Sequence, residues 1–214
     1  MATTWNPSDK NANVTLSESD LTAESATASA VCVRSTLSKS WGKLYCEFLV
    51  VTGTNGAGPE IGVATSGASL SNYVGSSSLS WGFFFGMGDT TAKKQYNGNI
   101  ATYGSGFGAN GDRLMLAVDL NVGKIWFGKN NAWQNSGDPA AGTGEAFSSI
   151  ALIPLFIIAN ARSSKITANF GATAFTYTLP TGFQSWDSEE GIPLAEVSKR
   201  SVTAKAMLHN RYFL

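Results

Sequence analysis

Between Asp112 and Leu120 apolar side chains recur at every second residue. Leu114, Leu116, Val118 and Leu120 alternate with Arg113, Met115, Ala117 and Asp119. A period of two is the pattern of an extended strand with one face turned to a core and the other more accessible. Residues 43–52 repeat it, with Leu44, Cys46, Phe48 and Val50 on one face and Tyr45, Glu47, Leu49 and Val51 on the other. Both of those faces are largely apolar, so this strand is expected to be covered on both sides. Further strands are expected at 13–16, 30–36, 60–65, 82–85, 123–128, 152–159 and 165–170. Turn chemistry separates them: Asp119-Leu-Asn-Val-Gly-Lys124 and Gly128-Lys-Asn-Asn131 are tight-turn sequences. Residues 53–59 and 97–111 hold still more Gly and Asn and read as longer connections. No helical stripe of ten residues occurs before Trp186. Short strands with frequent turns predict an all-β, two-sheet antiparallel sandwich over 1–186.

Composition narrows the function. Only 14% of the 214 residues are charged, 15 Lys+Arg balance 15 Asp+Glu, and 23 are glycine. Nucleic-acid binding needs a basic stripe to displace counterions, and the densest basic spots, Lys93-Lys94 and Lys199-Arg200, are two residues long. No apolar run reaches the roughly 18 residues of a membrane span. The first ten residues, MATTWNPSDK, lack the basic–apolar–small order of a secretion signal, so synthesis in a cytoplasm is expected. Cys32 and Cys46 lie in apolar alternating segments and are expected to be buried thiols rather than a bridge or metal site. No cofactor or metal is expected. The one histidine, His209, lies near the C-terminus, which leaves the main domain without imidazole chemistry.

Carboxylate chemistry was the remaining enzymatic route. A retaining glycosidase needs two carboxyl groups about 5–5.5 Å apart, and acids two apart on a strand supply them. No strand here carries such a pair: Glu47, Asp112 and Asp119 stand alone, and the Asp187–Glu190 cluster falls beyond the predicted sandwich. Gly104-Ser-Gly-Phe-Gly-Ala-Asn-Gly111 opens no helix, so it reads as a long hairpin connection rather than a phosphate cradle. The chain is therefore read as a non-enzymatic binding or structural module. Loops on a rigid sandwich carry recognition residues. Trp133 with Asn131 and Gln134, and Tyr73 in Ser71-Asn-Tyr-Val74, are the candidate ligand-binding residues, with Trp41 a weaker one; each aromatic could instead cap the core.

Composition shifts after Trp186. Residues 187–214 hold eight charges, acidic first and basic last. Met207, Leu208, Tyr212 and Phe213 are too apolar for an idle end, so this tail is expected to be an arm that docks on a partner.

Several blocks resemble one family. Thr4-Trp-Asn-Pro-Ser-Asp-Lys10 with Val14-Thr-Leu16 looks like the start of bacterial and phage SPRY domains. Gly42-Lys-Leu-Tyr-Cys-Glu-Phe48 resembles that family's G-K-x-Y-x-E-V strand. Ile61-Gly-Val-Ala64, Ser69-Leu-Ser-Asn-Tyr73 and Ser80-Trp-Gly82 extend the match. The most specific block runs from Gly111-Asp-Arg-Leu114 through Val118-Asp-Leu120 to Gly123-Lys-Ile-Trp-Phe-Gly-Lys-Asn130. Gly137-Asp-Pro-Ala-Ala-Gly142, Thr167-Ala-Asn-Phe-Gly171 and Pro180-Thr-Gly-Phe183 follow in order. The resemblance implies a bent, concanavalin-like sandwich acting in recognition. Animal tripartite-motif relatives carry Leu-Asp-Tyr-Glu-like text where this chain reads Val118-Asp-Leu-Asn-Val-Gly123, so their peptide-binding residues do not transfer. In prokaryotes such domains occur in phage virion and tail proteins. The expected function is a tail, baseplate or fibre component of a virion, bound to other subunits through the arm and forming a homo-oligomer or part of a larger assembly. A carbohydrate-binding module for a cell-surface glycan is the alternative.

Overall fold

The computed structural model describes residues 2–53, 58–84, 91–105 and 109–189. Fifteen strands follow in chain order: β1 (Trp5–Lys10), β2 (Thr15–Ser17), β3 (Thr22–Ser25), β4 (Cys32–Lys39), β5 (Lys43–Gly53), β6 (Glu60–Ala64), β7 (Ser80–Phe84), β8 (Thr91–Tyr96), β9 (Asn99–Ser105), β10 (Arg113–Asp119), β11 (Lys124–Lys129), β12 (Ala132–Trp133), β13 (Leu155–Asn160), β14 (Ser164–Asn169) and β15 (Gln184–Ser185). One sheet runs β1-β4-β13-β6-β7-β8-β9, the other β12-β11-β10-β5-β14-β3-β2, with β15 parallel to β5 where β14 ends. All other pairings are antiparallel. The only helix among the described residues is the 3-10 turn Gln134–Ser136. The all-β sandwich expected from the alternation is the observed fold.

The core lies between the sheets. Leu44, Cys46, Phe48 and Val50 of β5 and Leu114, Leu116 and Val118 of β10 meet Val33, Ile61, Val63, Phe83 and Ile157 of the facing sheet. Trp5 stacks on Phe48 and meets Phe170 edge-on, which pins the N-terminal strand over the sandwich.

Each outer face carries a strap of chain. Residues 171–183 cross the β5/β10/β11 face, where Phe175, Tyr177, Leu179 and Phe183 pack on Tyr45, Met115, Ala117 and Trp126. Met115 and Ala117 are therefore buried, not the accessible side that alternation in β10 suggested. Glu47, fully buried, fastens this strap by accepting the N–H groups of Thr176 and Tyr177 at 3.0 and 2.9 Å and the Tyr45 hydroxyl at 2.9 Å. Residues 65–79 cross the other sheet, where Ala68, Leu70 and Val74 cover Cys32, Ala64 and Ile158. Arg34 holds this strap from below. It grips Asp9 with two 2.7 Å bonds and donates to the Ala68 carbonyl at 2.7 Å. Gly62 and Gly82 pair across β6 and β7, and a Cβ at Gly82 would stand 2.2 Å from the Val74 carbonyl, so the strap needs glycine there.

Two sequence expectations change. Residues 99–105 form β9 and not a long connection: Asn97 (φ 50) and Gly98 (φ 76) make a two-residue turn, and Ile100, Thr102 and Tyr103 favour the strand that follows. The N-terminal edge strand β1 and the short β3 were hidden by Pro, Ser and Thr, which blur a two-residue period.

Asp187 accepts both the N–H and the hydroxyl of Thr3, at 2.6 and 2.7 Å, and buried Lys39 donates to the Ser188 carbonyl. The chain is thus tied to the sandwich through Ser188. Met207, Leu208, Tyr212 and Phe213, with the rest of the expected arm, lie outside the described residues.

Candidate recognition surface

The sequence-predicted site residues do not converge. Trp133 is half-buried on the outer face of the β10/β11 sheet, edge-on to Tyr45 at 6.3 Å. Asn131 (φ 66) is the exposed second residue of the Asn130-Asn131 hairpin turn, where asparagine tolerates the left-handed backbone. Gln134 is buried against Gly104, at which a Cβ would stand 2.1 Å from its Oε1. Tyr73 lies on the opposite sheet's strap, 41% exposed, with the Arg162 guanidinium 5.3 Å from its ring and bonded to its hydroxyl at 3.0 Å. Tyr73 and Trp133 thus lie on the outer faces of opposite sheets, and Gln134 is at the β9 edge.

The lone acids are structural. Glu47 anchors a strap, Asp112 accepts from the Ala109 N–H and the Asn130 amide, and Asp119 accepts from the Asn121 N–H and pairs with Lys43 at 3.6 Å. Both cysteines are free and buried. Burial, aided by the charge of Glu60 beside Cys32 and of Glu47 beside Cys46, pushes both thiols up and keeps them protonated and unreactive. Among the described residues no group of three His, Cys, Asp or Glu side chains is placed to hold a metal.

Exposed apolar side chains instead gather at the end of the sandwich that carries the β4–β5 and β10–β11 turns. Trp41, Val122, Leu152 and Ile153 are 51, 58, 57 and 46% exposed. The turns that bear them are joined. Gly42 N–H donates to the Asn121 side-chain oxygen at 3.0 Å, and Leu120 N–H to the Gly42 carbonyl at 2.9 Å. Ile150 N–H donates to the Gly123 carbonyl at 3.0 Å, and a Cβ on Gly123 would lie 3.6 Å from Leu152. Leu155, which follows this apolar stretch, pairs with Lys39 just before Trp41. Scattered surface hydrophobics are ordinary, but four large apolar side chains on joined turns, one of them a tryptophan, have the composition of a protein-docking surface. Sequence reasoning ranked Trp41 last among its aromatics and passed over the others, because turns at one end of a sandwich become neighbours only after folding.

The comparisons agree with this architecture. A family model described as SPRY domain matches residues 43–173. No curated protein matches the chain. The crystal structure of the TRIM65 PSpry domain is similar at 17% identity, over 79% of this chain and 92% of that one, with a TM-score of 0.59. The SPRY domain of human HERC1 is similar at 15% identity, over 79% and 99%, with a TM-score of 0.63. Stonustoxin is similar at 18% identity over 79% of this chain and 27% of that one, with a TM-score of 0.57. With the family model matching more than half of its length, the chain belongs to the SPRY domain family.

Proposed function

We propose that this chain is a non-enzymatic protein-recognition module that docks a partner through Trp41, Val122, Leu152 and Ile153. The observation that carries the reading is the clustering of those four side chains on joined turns at one end of a closed sandwich. The β-strands hold the turns rigidly, so little ordering entropy is lost on binding. Trp41 offers the largest apolar contact and is the expected centre of the binding energy.

The proposed setting is a phage virion, on a tail, baseplate or fibre, with residues 190–214 attaching the domain to a neighbouring subunit. The charge-poor, Ser/Thr/Asn/Gly-rich sequence and the blocks similar to bacterial and phage SPRY domains support it. A photoreactive residue placed at position 41 in the producing strain should give a discrete protein adduct, lost when Val122→Lys or Leu152→Lys is added. Position 73 should give none. An adduct from 73 and not from 41, or labelling of polysaccharide alone, would overturn the docking reading and favour a glycan module. Truncation after Glu189 keeps the Asp187 and Ser188 anchors; it should leave the domain folded and remove it from purified particles.

A further inference from the structure

The edges of the two sheets are treated unequally. Of the four edge strands, β1 contains Pro7 and a register shift against β4, β2 is three residues long and β12 two. Proline, irregular register and shortness are the ordinary means of stopping an edge from pairing with another chain. The fourth edge, β9, is neither short nor interrupted by proline, and its one register shift against β8 falls between Thr102 and Ser105, leaving 99–102 in regular register. It runs seven residues, Asn-Ile-Ala-Thr-Tyr-Gly-Ser, without a charge or a proline.

Its two halves differ. Toward Ser105 the edge is closed: Gln134 lies against Gly104, and the Tyr103 hydroxyl donates to the Gly144 carbonyl at 2.8 Å. Toward the Asn97-Gly98 turn it is open. Asn99, Ile100, Ala101 and Thr102 are all exposed, Ile100 at 56%, so both faces of this half-strand and its edge meet solvent. Register assigns the free groups. The two-residue turn makes Tyr96–Asn99 the hydrogen-bonded pair, and Lys94–Ala101 is the next such pair. Ile100 and Thr102 therefore turn their N–H and C=O groups outward. Among the described residues no backbone group other than those of β8 bonds to 99–102.

We propose that β9 pairs antiparallel with β9 of a second copy of this chain about a two-fold axis at Ala101. Ile100 of each copy exchanges N–H···O bonds with Thr102 of the other, and the two seven-stranded sheets become continuous. The stretch is self-complementary, as an isologous contact requires. Its outward groups match in antiparallel register, the facing side chains are the β-branched pair Ile100 and Thr102, and no charge on the strand opposes its own copy. Lys93, opposite Thr102 on β8, is one strand back from the seam.

Sedimentation and light scattering of the full chain over a rising concentration series test this. The wild-type chain should dimerise. Ile100→Lys, which puts a charge on the seam, and Thr102→Pro, which deletes an outward N–H without touching a β8 bond, should each weaken the dimer by about tenfold or more, with the melting temperature of the dilute monomer unchanged. Hydrogen exchange of the unaltered chain gives an independent reading. The Ile100 and Thr102 amides should gain protection with concentration, while Ala101 stays protected throughout. A wild-type monomer across the series overturns the proposal. So does a dimer that both substitutions leave intact, or one broken instead by Val122→Lys, which would place the contact on the apolar end. Concentration-independent exchange at Ile100 and Thr102 has the same force.

Discussion

Glu60 opens β6, only 5% exposed beneath the 65–79 strap, where its carboxylate accepts the Val74 N–H at 2.9 Å. Burial pushes its pKa up from 4.5 to about 7, and the bond from Val74, the Asn160 side chain and the Arg162 charge only partly offset that. The folded chain thus holds this proton more tightly than the unfolded chain does. Below about pH 4.5 the group is neutral in both states and carries no penalty. Between about 4.5 and 7 the unfolded state ionises while the folded state does not, so stability falls as pH rises. Above about 7 the full penalty persists. A shift from 4.5 to about 7 corresponds to about 3 kcal/mol at 1.36 kcal/mol per unit. Glu60→Gln keeps an oxygen for Val74 and resembles the protonated acid. It should stabilise the protein by about 3 kcal/mol at pH 8, or about 6–12 °C in Tm, and by under about 1 kcal/mol at pH 5. Urea unfolding of both proteins across that range gives the difference directly. A difference that stays flat with pH, or grows toward acid, would refute the assignment of a neutral buried carboxyl.

Three further outcomes follow from the straps. Glu47→Ala leaves the Thr176 and Tyr177 N–H groups and the Tyr45 hydroxyl without their acceptor and should cost about 3 kcal/mol or more, with faster exchange at amides 176 and 177. Arg34→Met removes a buried guanidinium from partly exposed Asp9 and from the Ala68 carbonyl and should cost about 1–3 kcal/mol in chemical denaturation, with new proteolytic cleavage within 65–79. Gly82→Ala drives a methyl into the Val74 carbonyl and should destabilise by about 1–3 kcal/mol, whereas Gly111→Ala, with nothing within 4 Å, should show only the smaller strain of its φ of 93.

The fold was legible where alternation was strong. Residues 43–52 announced a strand with two covered faces, and Glu47 and Tyr45 on the second face explain why: a strap needs an acceptor and a ring to rest on. The strap itself, 171–183, has no period of its own and could not be read as a structural layer. Residues 99–105 were obscured by the glycines around them, though Ile100, Thr102 and Tyr103 carried a strand signal. For the recognition surface, local sequence favoured tryptophan and tyrosine in polar turns. That rule selects Trp133 as readily as Trp41, yet folding lays Trp133 against Tyr45 and leaves Trp41 half in solvent. Val122, Leu152 and Ile153 looked like ordinary turn and strand residues, and only the β10–β11 and β4–β5 turns meeting at one end make them neighbours.

The most direct test of the docking surface is calorimetric titration of the protein captured from position 41 against four forms of the chain: wild type, Trp41→Ala, Val122→Lys and Tyr73→Ala. The account predicts loss of more than about tenfold in affinity for Trp41→Ala and Val122→Lys at unchanged melting temperature, with Tyr73→Ala binding as wild type. Full affinity in the first two variants, or its loss in Tyr73→Ala alone, would contradict it.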